Sequence, residues 1–215
     1  MFSDRNDAAK KLADKLKHYK GLNPLVLAIP RGSVPMAKII AAELGGDFDV
    51  VLVRKLRAPY QPELAIGSID ESGWAYIAPH AASTGASADY IEAEKKAQME
   101  TIQKRRNQYT PICPPIDPAR RIVIVIDDGL ATGATMISAL HGLGARNPAK
   151  LICAVPVAPP DTIKKVQGMA DEVVCLLMPA YFMAVGQFYR DFSQVEDDEV
   201  IRLLGDRVAR QESAE

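Results

Sequence analysis

The chain has little of what would mark it as a membrane, secreted or nucleic-acid-binding protein. No apolar run approaches the roughly 20 residues that span a bilayer, and the opening stretch "MFSDRNDAAKKLADKLKHY" lacks an apolar core of the signal-peptide kind. A soluble cytoplasmic chain is therefore expected. Cysteine is scarce: Cys113, Cys153 and Cys175 show no CxxC spacing, and the last two sit in the apolar runs "LICAV" and "VVCLL". That placement predicts free buried thiols, not disulfides or metal ligands. Lys and Arg total 26 against 27 Asp and Glu, a formal net charge of -1, so no basic tract speaks for nucleic acid or an anionic membrane. The three histidines, His18, His80 and His141, have no partners at metal spacing. No GxxxxGK[ST] occurs, and "GLGARN" (142–147) closes a helix with Asn147 where a dinucleotide fingerprint needs its third glycine.

What is present is a globular composition, 48% apolar and 25% charged, enough for one domain spanning residues 1–215. Ala8, Leu12, Leu16 and Tyr19 recur at helical spacing behind Ser3 or Asp4 as a cap. Five continuous apolar runs read as buried strands: "LVLAI" (25–29), "DVVLV" (49–53), "RIVIVI" (121–126), "LICAV" and "EVVCLL". Helical patterns separate most of them, which predicts an α/β fold with a parallel sheet covered on both faces. Counting the five runs, the order 2-1-3-4-5 would bring the carboxyl ends of the first and third together at a switch point, where such folds bind ligands. Residues 56–88 differ in character: they are rich in Pro, Gly and Ser, and two short strand-like pieces flank a Glu71-Ser72-Gly73 turn, which predicts a mobile hairpin. A long charged helix covers about 89–109 and an amphipathic one about 195–209.

The two loops at the predicted switch point carry the chemistry. "VIVIDDGLATGAT" (123–135) places Asp127 and Asp128 at a strand end and follows them with a turn of small residues that opens a helix. Gly129 and Gly133 free the backbone, Ala131 and Ala134 allow close approach, and the exposed helix N–H groups with Thr132 and Thr135 suit a phosphate. The paired carboxylates suit a sugar's vicinal hydroxyls. Their mutual repulsion raises a pKa unless hydroxyls, Mg²⁺ or cations relieve it. A plain capped strand-to-helix junction would not require that pairing. The turn "PRGS" (30–33) would face the same site, with Arg31 able to offer a bidentate fork.

These residues closely resemble the phosphoribosylpyrophosphate (PRPP) motif of type I phosphoribosyltransferases, and the strand order, the "PRGS" turn, the Arg54-Lys55 pair and the mobile middle segment extend the resemblance over most of the chain. The resemblance implies that Asp127 and Asp128 bind the ribose hydroxyls, with contact to a metal through water, and that Ala131, Thr132, Gly133, Ala134 and Thr135 hold the 5-phosphate. It implies that Arg31, Gly32, Ser33, Arg54 and Lys55 bind pyrophosphate, with Asp127, Asp128 and Lys55 the residues of catalysis, Mg²⁺ the cofactor and a homodimer the assembly. The segment "MPAYFMAVGQFYRDF" (178–192) would be a small C-terminal hood. Its Tyr181, Phe182, Phe188 and Tyr189 could stack on an acceptor, Phe182 and Tyr181 being the candidates carried forward; packing of a helix or a dimer interface is the alternative. In several purine-using relatives a carboxylate precedes the Thr-Gly pair, whereas here the position is Ala131. The general base is thus not given by the motif, and Glu63, Asp70 and Glu71 are candidates beside an ordinary surface role. The resemblance implies transfer of the phosphoribosyl group to a nitrogen nucleophile such as a nucleobase. A PRPP- or nucleotide-binding regulator with little turnover is the rival.

Overall fold

A computed structural model describes residues 1–212. The element order is α1 (Arg5–Lys15), β1 (Leu25–Ala28), α2 (Val34–Leu44), β2 (Asp47–Val50), β3 (Val53–Arg57), β4 (Ala65–Asp70), β5 (Ala75–Ile77), α3 (Ala88–Tyr109), β6 (Ile122–Ile126), α4 (Ala134–Gly144), β7 (Lys150–Val157), α5 (Pro160–Gln167), β8 (Glu172–Leu177) and α6 (Asp197–Glu212). Local chemistry sets several boundaries. The Asp4 side chain accepts from the Asp7 N–H to start α1, and Gly45, in the left-handed region, ends α2. Residues 213–215, included in the predicted domain span, lie outside the described residues.

Five strands form a parallel sheet in the order β2-β1-β6-β7-β8, the order predicted from the five apolar runs. Alternation along each strand splits the core in two. Val26, Ala28, Ile124, Ile126, Ile152 and Ala154 face a cluster with α1 and α2 residues such as Leu12 and Ile40. Leu25, Leu27, Val123, Val125, Leu151 and Cys153 face the opposite cluster, with Met136 and Leu140 of α4 and Ile163 and Val166 of α5. Burial on both faces is why these strands read as unbroken apolar runs. Cys113 and Cys153 are buried free thiols and Cys175 is half-buried; burial pushes the Cys113 thiol up to about 11.

The run at 49–53 is not one strand. The sheet strand ends at Val50, the Val51 N–H reaches the Ala28 carbonyl at 2.9 Å, and Val53 begins a separate antiparallel sheet, β3-β4-β5. The chain stays apolar because it remains inside the core while crossing between sheets: Val50 and Leu52 pack in one cluster, Val51 and Val53 in the other. Arg54 and Lys55 accordingly sit in the middle of β3 and not at the end of the second parallel strand.

The segment expected to be a mobile hairpin is docked. β4 and β5 pair antiparallel around the 71–74 turn, with Ile66 and Ile69 buried. The Ser68 hydroxyl donates to the Ala134 carbonyl at 2.6 Å, and Trp74 stacks on His141 of α4 at 3.7 Å between ring centroids. Asp70 Oδ1 accepts from the N–H groups of Ser72 and Trp74 in its own turn, and Oδ2 is buried without a hydrogen-bond partner among the described residues, while Glu71 forms a two-point pair with Arg106 of α3 at 2.7 Å. The connection at 60–64 is exposed along its whole length.

Candidate active site

Because β1 and β6 are neighbours in register, with Ala28 opposite Ile126, their carboxyl ends release the 29–33 turn and the 127–133 loop side by side. A cavity of about 570 Å³ opens there. The Pro30–Arg31 peptide bond is cis. The Ser33 side chain turns away from the cavity and donates to the Ile29 carbonyl, fully buried. Gly32 is dictated by proximity: a Cβ there would lie 2.3 Å from Asp128 Oδ2.

The loop 127–135 is anchored from behind and open in front. The Leu130 N–H donates to the Val157 carbonyl at 2.9 Å, and the Thr162 hydroxyl of α5 donates to the Ala131 carbonyl at 2.6 Å. Gly133 caps α4 at φ 79°, where a Cβ would meet Thr162 Cγ2 at 2.9 Å. Left-handed backbone and a close neighbour together leave room for glycine only. Ala131, Thr132, Gly133 and Thr135 line the cavity. Ala134 is buried beneath them, its N–H donating to the Thr132 hydroxyl oxygen at 3.4 Å. First-turn N–H groups of a helix have no intrahelical partner and sit at its positive dipole end, so this surface attracts an anion.

Asp127 and Asp128 project from the end of β6 into the cavity. The Asp128 N–H donates to Asp127 Oδ1 at 2.9 Å. Burial first, then the Asp128 charge, hold the Asp127 carboxyl well above the usual carboxylate range, against the pull of that N–H, Lys55 and Arg5. Asp128 is raised by burial and held back chiefly by Arg5. Two half-buried carboxylates side by side are an arrangement that a bound cation or hydroxyl donors would relieve.

Opposite them, β3 supplies Arg54, Lys55 and Arg57 to the cavity wall. Lys55 is exposed and has no ion pair among the described residues. Arg54 donates to Gln98 Oε1 of α3 at 3.0 Å, and burial, with the neighbouring charges of Arg105, Arg57 and Arg31, lowers its guanidinium pKa. Arg31 lies 3.4 Å from both Glu196 and Asp197 at the start of α6. Glu63 is the one acid besides Asp127 and Asp128 among the lining residues, on the exposed 59–64 connection.

The last wall comes from both ends of the chain. Arg5, the first residue of α1, pairs with Asp128 at 2.8 Å, and its guanidinium lies 3.9 Å from the centre of the Phe192 ring. Val185 and Phe192 complete the lining. The two aromatic candidates from the sequence are elsewhere: Tyr181 is 74% exposed with its hydroxyl on Met183, and Phe182 leans on Phe188 at 5.4 Å. Tyr189 is buried, its hydroxyl donating to the Asp128 carbonyl at 2.7 Å.

Of the predicted residues, Arg31, Gly32, Arg54, Lys55, Asp127, Asp128, Ala131, Thr132, Gly133 and Thr135 meet in one cavity. Ser33 and Ala134 support it from beneath, and Tyr181 and Phe182 do not reach it. Arg5, Phe192, Val185 and Arg57 were not foreseen. Phe192 ends the hood run "FYRDF", which was a usable signal; Arg5 belongs to no motif. No group of three or more His, Cys, Asp or Glu among the described residues is placed to hold a metal. The adjacent Asp127 and Asp128 carboxylates do fit Mg²⁺ of the kind that is held by one or two carboxylates, water and substrate phosphates.

Among known proteins, Rv0571c and MT0597 of Mycobacterium tuberculosis, whose names give them provisionally as phosphoribosyl transferases, are each 41% identical over 211 residues, 98% of this chain. That match takes in 47% of their length, so the chain spans about half of these curated relatives. The crystal structure of TT1426 from Thermus thermophilus superposes with a TM-score of 0.79 at 40% identity, covering 95% of this chain and 98% of that one. The model of the phosphoribosyl transferase domain matches residues 4–192, a span that holds every residue lining the cavity, and the chain belongs to that family.

Proposed function

We propose that the chain is a Mg²⁺-dependent transferase that moves the 5-phosphoribosyl group of PRPP to a nitrogen nucleophile, a nucleobase, with release of pyrophosphate. The observation that carries this reading is the meeting, in one cavity, of the paired carboxylates, the loop opening α4 and the basic strand β3. Asp127 and Asp128 accept hydrogen bonds from the ribose hydroxyls. The N–H groups of residues 131–135 and the hydroxyls of Thr132 and Thr135 hold the 5-phosphate. Arg31, Arg54 and Lys55 face the diphosphate, the Gly32 backbone comes close to it, and Ser33 fixes the turn from behind. As the bond from C1 to the diphosphate oxygen breaks and a C1–N bond forms, Lys55 and the arginines meet the charge building on the leaving group. Asp127 and Asp128 would hold Mg²⁺ through water, and the ion would supply further charge neutralisation for the diphosphate.

Phe192 and Val185, in place of Phe182 and Tyr181, offer the acceptor an apolar face. The whole chain acts as a single domain in this reading, because the cavity draws on Arg5 near one end and Phe192 beyond the last sheet strand. A homodimer belongs to the same reading, and sedimentation of the purified chain tests it. Ala131 supports the second reading, a PRPP- or nucleotide-binding regulator: with no carboxylate there, Glu63 is the single acid on the open side of the cavity.

The test is pyrophosphate release from PRPP and Mg²⁺ with adenine, guanine, hypoxanthine, xanthine, uracil or orotate, and with no base. Base-dependent release is expected. Calorimetric PRPP binding without release would transfer the weight to the regulator, and absence of binding would sink both readings.

A further inference from the structure

Arg5 stands 123 positions from Asp128 in the chain, yet every nitrogen of its guanidinium is engaged where the two meet. Nε and Nη2 donate to Asp128 Oδ2 at 2.9 and 2.8 Å, and Nη1 donates to the Ser193 carbonyl at 2.6 Å. The face of the group covers the Phe192 ring, and the side chain is 13% exposed. The strap that carries Arg5 is itself stitched to the hood. The Phe2 N–H donates to the Phe188 carbonyl at 2.7 Å, the Arg190 N–H to the Phe2 carbonyl at 2.9 Å and the Asp191 N–H to the Ser3 carbonyl at 3.0 Å. A residue meant to seize an incoming anion keeps donors free, as Lys55 does. Arg5 instead commits one donor from each nitrogen, three of its five N–H groups, to the protein itself, and its planar fork joins a carboxylate, a carbonyl and a ring at once, which a lysine cannot do.

We propose that Arg5 is a positioning residue for the transfer: it ties Asp128 to the Ser193–Phe192 wall, so that the sugar site and the acceptor face form one rigid unit. The proposal rests on the phosphoribosyl reading for what Asp128 binds, but the tie itself is independent of any ligand. It places the start of α1 within the working part of the molecule, although no motif marks it.

Two measurements on Arg5→Gln and Arg5→Lys test it. Hydrogen exchange of the unliganded protein is expected to quicken at the amides of 188–193 in both variants, with β6 and β7 unchanged. Calorimetry with Mg²⁺ and PRPP is expected to show about 10–100-fold weaker binding for Arg5→Gln, the scale of a lost charge-assisted contact, and recovery of most of it by Arg5→Lys, which restores charge beside Asp128 but not the grip on Ser193. In an Asp128→Asn background, Arg5→Gln is expected to add little further loss. Unchanged exchange at 188–193 overturns the proposal, as do losses that simply add in the double variant. If the unsubstituted protein fails to bind PRPP, the phosphoribosyl reading falls and the exchange comparison alone decides the tie. Should Arg5→Gln unfold, Arg5→Lys and Phe192→Leu give the same comparison: local quickening supports the tie and its absence overturns it.

Discussion

The two sides of the cavity are built in opposite ways. The side proposed to hold ribose and phosphate is one continuous stretch, residues 127–135, which leaves β6, turns through Gly133 and becomes α4. It offers backbone N–H groups, two carboxylates and two hydroxyls from consecutive positions, and Val157 and Thr162 hold it from behind. The side proposed for the acceptor is assembled from segments far apart in the chain: Arg5, the connection carrying Glu63, and residues Val185 and Phe192. A local site is specified by consecutive residue types, and the rest of the chain enters through the few groups that touch it, such as Gly32 and Arg5 at Asp128. A side assembled from separated segments depends on side chains held by one another. It can change by single substitutions that leave the consecutive residues of the 127–135 loop as they are.

Substitutions that act on one side and spare the other sharpen that comparison. The largest effect is expected from Asp127→Asn, with PRPP binding about 10–100-fold weaker by calorimetry, the scale of lost hydrogen bonds to a charged group. The same variant is expected to unfold at higher denaturant, by about 1–2 kcal/mol. Burial and the Asp128 charge hold the wild-type carboxyl above its unfolded value, so the folded state binds the proton more tightly and wild-type stability falls as pH rises through that range. The gain of the variant is therefore largest at neutral pH and shrinks in acid. An Asp127→Asn protein that binds PRPP normally would remove the sugar assignment.

Lys55→Ala is expected to slow transfer by about tenfold or more through lost stabilisation of the leaving diphosphate, with the denaturation midpoint unchanged because the side chain is exposed. Equal losses in rate and stability would make Lys55 structural. Gly32→Ala forces its new Cβ onto Asp128 and is expected to weaken PRPP binding by about tenfold, a displacement effect visible as a raised KM for PRPP. The smallest effects distinguish the aromatic residues. Phe192→Ala is expected to raise the acceptor KM by about 2–10-fold, the value of one ring contact, while Phe182→Ala stays within about twofold. The reverse order would return the acceptor face to the residues the sequence suggested.

Much of the frame was legible from the chain. Strands buried on both faces must be apolar throughout, so β1, β6 and β7 announced themselves, half-buried β8 is apolar because its side chains lean on both clusters, and right-handed crossovers then left few orders for the sheet. The boundary at Gly45 and the start of α4 beyond Gly133 were legible for the same local reason, a conformation that glycine alone tolerates easily. The crossing from β2 into β3 was not legible. Val50 to Val53 are buried whichever sheet they join, and hydrophobicity carries no label for the sheet it serves. The docking of residues 65–78 was hidden as well, because small and polar residues such as Ser68 gain their meaning from Ala134 and Ser138, some 70 positions away.

Within the site, the sequence by itself determined the small-residue turn into α4 and the carboxylate pair, since their geometry follows from φ, ψ and the end of one strand. It also determined that a basic pair would follow the second apolar run. Only the tertiary structure decided that Ser33 points inward, that Phe192 and not Phe182 faces the cavity, and that Arg5 closes on Asp128. Those outcomes depend on where a side chain finds a partner for its charge, hydroxyl or ring, and such partners lie far along the chain, where no spacing rule reaches.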